Sequence, residues 1–433
     1  MPPIPTPSGR PGRLPRPSGP PPWVLLALAV LCLAVAGCAS FHGAPLPMDF
    51  RERAQVWQEE DLVVRVSILV REEALREFGA SLYSQGIQPV WLEVENQSPS
   101  ERWYFPVFTD PDYFSPDEAA LLVCRNRWGV NREEVARRFR KLAMPRRIPP
   151  GQKASGFVLT TMDPGVKHVP VLLAGGGDHR KKDFILSIPG FVADHRKVTL
   201  EGLYGDDVTQ CQDPDCLRAA VEALPPCATD RDGTGLADPL NLVLVSRDLD
   251  LFPAFVRRGW DPSERVRPRS VLATLVSFLS GLRYRTAPVS AMYLFDRRQD
   301  MAFQKVRQTV RERNHLRIWL SPITFRGDPV WVGQISRDIG VHLSSSLARF
   351  ITHSIDPDID EARDYLLQDF LLSDSVEAFG YAGGVENSTP ENPARNMGGD
   401  LYFTDGLRLV VLFGRGAADL SEVEVLPWRT HSD

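Results

Sequence analysis

IQPVWLEVENQS, residues 87–98, is the stretch whose reading decides the fold class. Val90, Leu92 and Val94 alternate with Trp91, Glu93 and Glu95. This is the period of a strand with one face in a core and the other half-exposed. An asparagine–serine turn closes it. Outward from it, DLVVRVSILV (61–70) is β-branched and apolar, and GQKASGFVLTTM (151–162), VKHVPVLL (166–173) and DFILSIPG (183–190) continue the pattern of short strands punctuated by glycine and proline. LAGGGD (173–178) joins two of these strands and opens no helix, so it reads as a hairpin turn and not a phosphate loop. One helical stretch interrupts, REEVARRFRKLAM (132–144), with Val135, Phe139 and Leu142 at helical spacing. The spacing predicts an all-β sandwich over 61–190.

Upstream, residues 2–22 are proline-rich and carry Arg10, Arg13 and Arg16 with no acid, and an unbroken apolar run follows, Trp23 to Ala36. That run is short of the roughly 18–20 residues a spanning helix needs. It suits a signal-peptide core, which leaves residues 1–37 out of the fold. Val35, Ala36 and Gly37 before Cys38 resemble the lipobox of bacterial lipoproteins. The resemblance implies cleavage before Cys38 and lipidation of that residue; the alternative is a plain secretory signal or an uncleaved anchor. Residues 38–60 read as a tether. Losing three arginines takes the formal charge from −5 to −8. A chain of that sign, without a basic stripe, makes nucleic acid a poor partner. Ala39 and Ser40 lack the aspartate that the resemblance links to inner-membrane retention, which favours the outer membrane.

Residues 191–235 form a connecting segment, with a helix expected at DCLRAAVEALP (215–225). An extracytoplasmic address permits disulfides. CQDPDC sets Cys211 and Cys216 around a turn, where they can bridge or stay free; the spacing alone is weak for zinc. DRDGTG (230–235) lacks the alternating ligands and distal glutamate of a calcium loop and reads as a solvated turn.

The second module spans 236–413, with a tail over 414–433. LNLVLVS (240–246) is a strand apolar on both faces, and RDLDLFPAFVRRGW (247–260) and VLATLVSFLSGL (271–282) read as helices. Strand-like segments follow at 290–295, 302–310, 315–322 and 329–341, then a helix at 357–373 and a strand at 407–413. Strands and helices mix without strict alternation. The expected architecture is multidomain: the N-terminal all-β sandwich, then an α+β domain with a mostly antiparallel sheet.

DPLNLVLV, VSFLSGLRYRTAPVSAMYLF, RERNHLRIWLSP, VWVGQISRDIG and THSIDPDIDEARDYL together resemble the LssY C-terminal-like domain family, over roughly 236–413. The resemblance implies no defined activity, cofactor or catalytic residues. Some members carry phosphatidic-acid-phosphatase-type or DedA-type membrane modules; this chain has neither, which weakens transfer of a lipid-related role. The order GIQPVWLEVEN, FPVFTDPDYFSPDEAA, IPPGQKASGFVLT is similar to immunoglobulin-like N-terminal modules of bacterial envelope lipoproteins, which usually bind or space.

Two constellations carry chemistry. THSIDPDIDEARDY (352–365) gathers His353, Asp356, Asp358, Asp360, Glu361 and Asp364. Asp356 as N-cap and Pro357 as first helical residue explain most of it, with the acids favoured by the helix dipole. A divalent site using His353 with Asp356, His315 or His342 is the other reading. In NHLRIWL, alternation puts His315, Arg317 and Trp319 on one face. With Arg337 on a neighbouring strand, paired guanidiniums and histidine would suit phosphate or carboxylate chemistry; the alternative is an exposed sheet face, or an internal Arg337–Asp338 or Arg–Asp lattice. No G-x-S-x-G or P-loop motif is present. The leading expectation is a membrane-anchored binding protein with an envelope protein or lipid partner. The rival is a hydrolase of phosphorylated or lipid-like substrates using His315, Arg317, Arg337, His353 and Asp356. Metal and cofactor stay open.

Overall fold

The computed structural model describes residues 48–125, 129–191, 194, 198–246, 248–263, 286, 289–306, 313–342, 352–414 and 419–428. The signal segment, Cys38, residues 39–47, the expected helix at 271–282 and part of the tail lie outside the described residues. Phe50–Asp433 forms one compact unit.

The N-terminal half holds two four-stranded antiparallel sheets. One runs β1 (Gln55–Glu59), β2 (Leu62–Ile68), β3 (Ile87–Asn96) and, beyond it, β6 (Gln152–Thr161); the other is ordered β5 (Arg147–Ile148), β4 (Arg102–Tyr104), β7 (Val166–Gly175), β8 (Asp178–Ser187). Leu92 of the opening stretch lies between Val66 of β2 and Gly156 of β6. Val90, Leu92 and Val94 face Val169, Val171 and Phe184 of the second sheet in a closed core, which is what alternation demands of an aligned sandwich. The other face of β3 is more buried than a half-exposed strand would be. Trp91 is only 4% exposed, because helices cover that face. They are Arg71–Phe78, Pro116–Cys124 and Arg132–Leu142. Phe50, Phe78, Phe139 and Phe157 fill the space between helices and sheet. The second helix starts at a capping box of Ser115 and Glu118 followed by Pro116, a start signal written in SPDE. Gly156 is needed where the chain leaves the third helix: a Cβ there would sit 2.6 Å from the backbone of Ala143 and Met144.

The C-terminal half is built on a ten-stranded sheet. Its strands are β9 (Thr209–Cys211), β12 (Leu242–Val245), β13 (Asp261–Pro262), β16 (Met301–Val306), β17 (Arg313–Phe325), β18 (Asp328–His342), β19 (Thr352–Ile355), β20 (Val376–Ala382), β23 (Arg408–Phe413) and β24 (Glu424–Val425). Pairing is antiparallel except at β12–β23, β17–β9 and β20–β24. A small sheet of β11 (Leu236–Pro239), β10 (Cys227–Thr229), β14 (Tyr293–Leu294) and β15 (Arg297–Arg298), with the hairpin β21 (Ala394–Arg395) and β22 (Leu401–Tyr402), completes the half. The large sheet is covered on both sides. Leu242 and Leu244 of β12 pack with helices Asp248–Arg257 and Asp360–Leu371; Val243 and Val245 pack with helix Pro214–Glu222 and the small sheet. Cys211 and Cys216 are joined in a disulfide at the start of that last helix, and Cys124 and Cys227 are free thiols. No helix among the described residues is long and apolar enough to cross a membrane.

Asp183 of β8 clasps the two halves. It accepts from His168 Nε2 at 2.6 Å and from Arg257 Nη2 at 2.6 Å, and Arg257 also donates to Ser373 O and Ser375 Oγ. Burial works against the charged carboxylate, but His168 and Arg257 outweigh it and hold the carboxyl down at about 2. The folded protein therefore binds this proton less tightly than the unfolded chain. The stabilisation is complete above pH ~4 and drains as pH falls towards 2. Asp183→Asn should remove roughly 2 kcal/mol at neutral pH and flatten that acid limb. Tryptophan-detected unfolding from pH 7 to 2 measures both; curves that superimpose would dismiss the clasp.

Candidate functional site

The polar face of β17 and β18 is set by register. Arg313, His315 and Arg317 stand opposite Asp338, Ser336 and Gln334, and Gln304 of β16 stands opposite His315. Alternation sends all seven to one side, towards β11 and the β21–β22 hairpin. All are nearly sealed: His315 is 6% exposed, Arg317 3%, Asp338 1% and Ser336 0%. Buried polar atoms need partners, and most of these have them. Arg313 donates to Asp338 Oδ2 (3.1 Å) and Gln304 Oε1 (2.6 Å). His315 Nδ1 lies 3.3 Å from Asp338 Oδ1, and its Nε2 lies 3.2 Å from Ser336 Oγ. Ser336 Oγ donates on to Asp238 Oδ2 at 3.2 Å, and Asp238 Oδ1 accepts from Asn396 on the hairpin at 2.8 Å. Serine, imidazole and carboxylate are neighbours, but His315 Nδ1 and Asp338 Oδ1 are not hydrogen-bonded and the serine is closed from solvent.

Two of the five sequence candidates, His315 and Arg317, share this face. Arg337 does not. Because His315 pairs with Ser336, the even-numbered residues of β18 share its side, and Arg337 falls on the other. There it donates to Asn314 Oδ1 at 3.2 Å, lies 3.7 Å from Asp356 Oδ2, and sits over Tyr365 at 5.9 Å. So Arg337 and Asp356 form a second, separate pair. His353 lies opposite Val341 on β19, and its side chain is outside the described residues. Arg313, Ser336, Asp238 and Gln304 were missed, and Asp338, read as a partner of Arg337, pairs with Arg313 instead. The alternation that picked out His315 and Arg317 also reaches Arg313. The others needed the register, which no local pattern supplies.

The acidic run has a different start from the one expected. The helix begins at Asp360, after Ile359, and Asp356 is not its cap. Asp356 and Asp358 instead accept from the amides of Asp358 and Asp360, two residues on, and these local bonds compete with helix. The turn they make lets Pro357 O accept from Phe403 N at 2.8 Å. Asp360 then accepts from Thr404 Oγ1 (2.9 Å) and Asp405 N (2.8 Å). Burial raises its pKa, and Arg363 opposes that rise. Ile359, Ala362, Leu366 and Phe370 form the buried stripe. Among the described residues no group of three or more histidine, cysteine or acidic side chains could hold a metal.

A mixed, mainly antiparallel sheet carrying a buried polar face defines an α+β domain of the expected kind. Residues 219–407 match the family model described as LssY C-terminus, and the chain carries a domain of that family. The match opens inside helix Pro214–Glu222 and closes one residue before β23. No curated protein matches the chain.

Proposed function

We propose that the chain is a lipid-anchored, extracytoplasmic binding protein of the bacterial cell envelope, tethered through Cys38 and engaging a protein partner through its N-terminal half. One observation carries the reading. Trp103, Phe105, Val107 and Phe108 lie within six residues and expose 42%, 36%, 48% and 52% of their surface. Contiguous large apolar side chains left in water mark contact sites. Beside them opens a groove lined by Pro106, Phe139, Phe157, Arg140 and Arg146. Charges around the strip are mixed. Arg140 pairs with Asp117, and Arg147 pairs with Glu101 while lying 5.2 Å over the Trp103 ring. An anionic bilayer favours a field of one basic sign. Aromatic residues beside arginines in a charge-balanced rim are the composition of a protein interface. The hydrolase alternative needs His315, Arg317, Arg337, His353 and Asp356 in one pocket, and Arg337 and Asp356 lie across the sheet from His315 and Arg317.

The test places a photocrosslinking amino acid at position 108 of the full chain in cells, with and without Cys38→Ser. A discrete protein adduct that weakens in Cys38→Ser is expected. The purified partner should then bind Phe108→Ser at least about tenfold more weakly, a hot-spot loss. Adducts to lipid alone, or none from positions 103, 105, 107 or 108, would reject the reading.

A further inference from the structure

Among the described residues, Arg317 is the cation of the polar face with no carboxylate against it. Arg313 and His315 both meet Asp338. Arg317 Nε donates to Ser290 O at 2.9 Å and Nη1 to Gln334 Oε1 at 3.4 Å, both neutral acceptors. Among the described residues Nη2 donates to no protein atom, and it is not one of the buried side-chain atoms left without a partner. A guanidinium 97% withdrawn from water ordinarily sits on a carboxylate or phosphate, because desolvation without a counter-ion is costly. Burial pushes Arg317 down to about 10, with Asp238 and Asp338 acting against that and Arg313 and Arg298 adding to it. The side chain stays charged at neutral pH.

We propose that Arg317 is the receiving cation of an oxyanion site, and that a small carboxylate or phosphate group takes the free Nη2–H, while Gln334 and Ser336 donate to Asp238. Guanidinium donors are matched to such oxygens. The β21–β22 hairpin is latched over β11 by Asn396 Nδ2 donating to Asp238 Oδ1 (2.8 Å) and Met397 N donating to Leu236 O (2.7 Å), and its tip is Gly398–Gly399. This inference goes beyond the binding reading and does not depend on it.

Thermal unfolding of the full chain in detergent tests the site, with inorganic phosphate, acetate and soluble dihexanoyl phosphatidate titrated against chloride at matched ionic strength. Wild type should show a saturable rise in midpoint with at least one of the three and none with chloride. Arg317→Gln should lose the rise. Arg317→Lys should keep the rise with a half-saturating concentration at least about tenfold higher. A response to inorganic phosphate or acetate assigns a free anion, and a response to phosphatidate alone assigns a lipid headgroup. An absent response in wild type would overturn the proposal. So would a response retained in Arg317→Gln.

Discussion

Arg363→Met should remove about 3–5 kcal/mol of stability, the loss expected when one partner of a buried ion network disappears. Arg363 is fully buried on helix Asp360–Leu371. Its Nη1 and Nη2 donate to Asp405 Oδ1 and Oδ2 at 2.8 and 3.0 Å, its Nε to Asp364 Oδ1 at 3.1 Å, and Nη1 also to Leu407 O at 3.0 Å. Asp360 Oδ1 lies 3.2 Å from the same guanidinium, and the Tyr381 ring lies 5.0 Å from it. Methionine keeps most of the volume, so the expected loss is electrostatic. It leaves Asp360 and Asp405 facing each other without the guanidinium they share. Adding Asp405→Asn should then restore part of the loss, because the second change removes the stranded charge. Urea unfolding at neutral pH measures both proteins. A loss below about 1 kcal/mol, or no restoration in the double variant, would mean the acids of this helix hold no buried charge. The acidic run would then be free for another role.

The same residues show how far the sequence could be read. The buried stripe Ile359, Ala362, Leu366 and Phe370 is periodic and was legible. The strand of 87–98, its inward face, the hairpin at 173–178 and the doubly apolar β12 were legible for the same reason: period and turn chemistry are local. The helix start was not, because Asp356 and Asp358 have two uses for the same carboxylate, capping a helix or bending their own backbone. Partners far along the chain, in the connection between β22 and β23, settled it: Phe403, Thr404 and Asp405. The polar face divides similarly. One strand's alternation placed His315 and Arg317 together, but a shift of one residue in register would have brought Arg337 to them and sent Ser336 and Asp338 away. Trp91 marks the third limit. It sits where an exposed residue was expected, and only the helices packed over β3 explain its burial.

Arg408→Met should also cost about 3–5 kcal/mol, for a different reason. Arg408 is fully buried at the start of β23 and meets main-chain carbonyls instead of carboxylates. Nη1 donates to Val221 O, and Nη2 to Leu224 O (3.0 Å), Pro225 O (2.6 Å) and Gly384 O (2.8 Å). Val221 lies in the last turn of helix Pro214–Glu222, where carbonyls have no partner in the helix and the dipole is negative. Burial lowers the pKa of Arg408 to about 10, and the charge of Glu222 acts against that fall. One guanidinium therefore does what a glycine cap does elsewhere, and joins the first helix of the family-matched stretch to the strand that follows its last residue. Methionine would strand several carbonyls in an apolar core. Arg408→Lys should recover only part of the loss, since a single ammonium cannot span four carbonyls on two stretches of chain. Gly384→Ala should move stability the same way, because a Cβ there would lie 2.9 Å from the Arg408 guanidinium carbon, at a backbone φ of +119°. Hydrogen exchange across 214–225 separates cap loss from general softening. Faster exchange confined to that helix in both Arg408 variants is the expected pattern. Unchanged protection there, with stability near wild type, would place the connection between the two ends of the domain elsewhere in the fold.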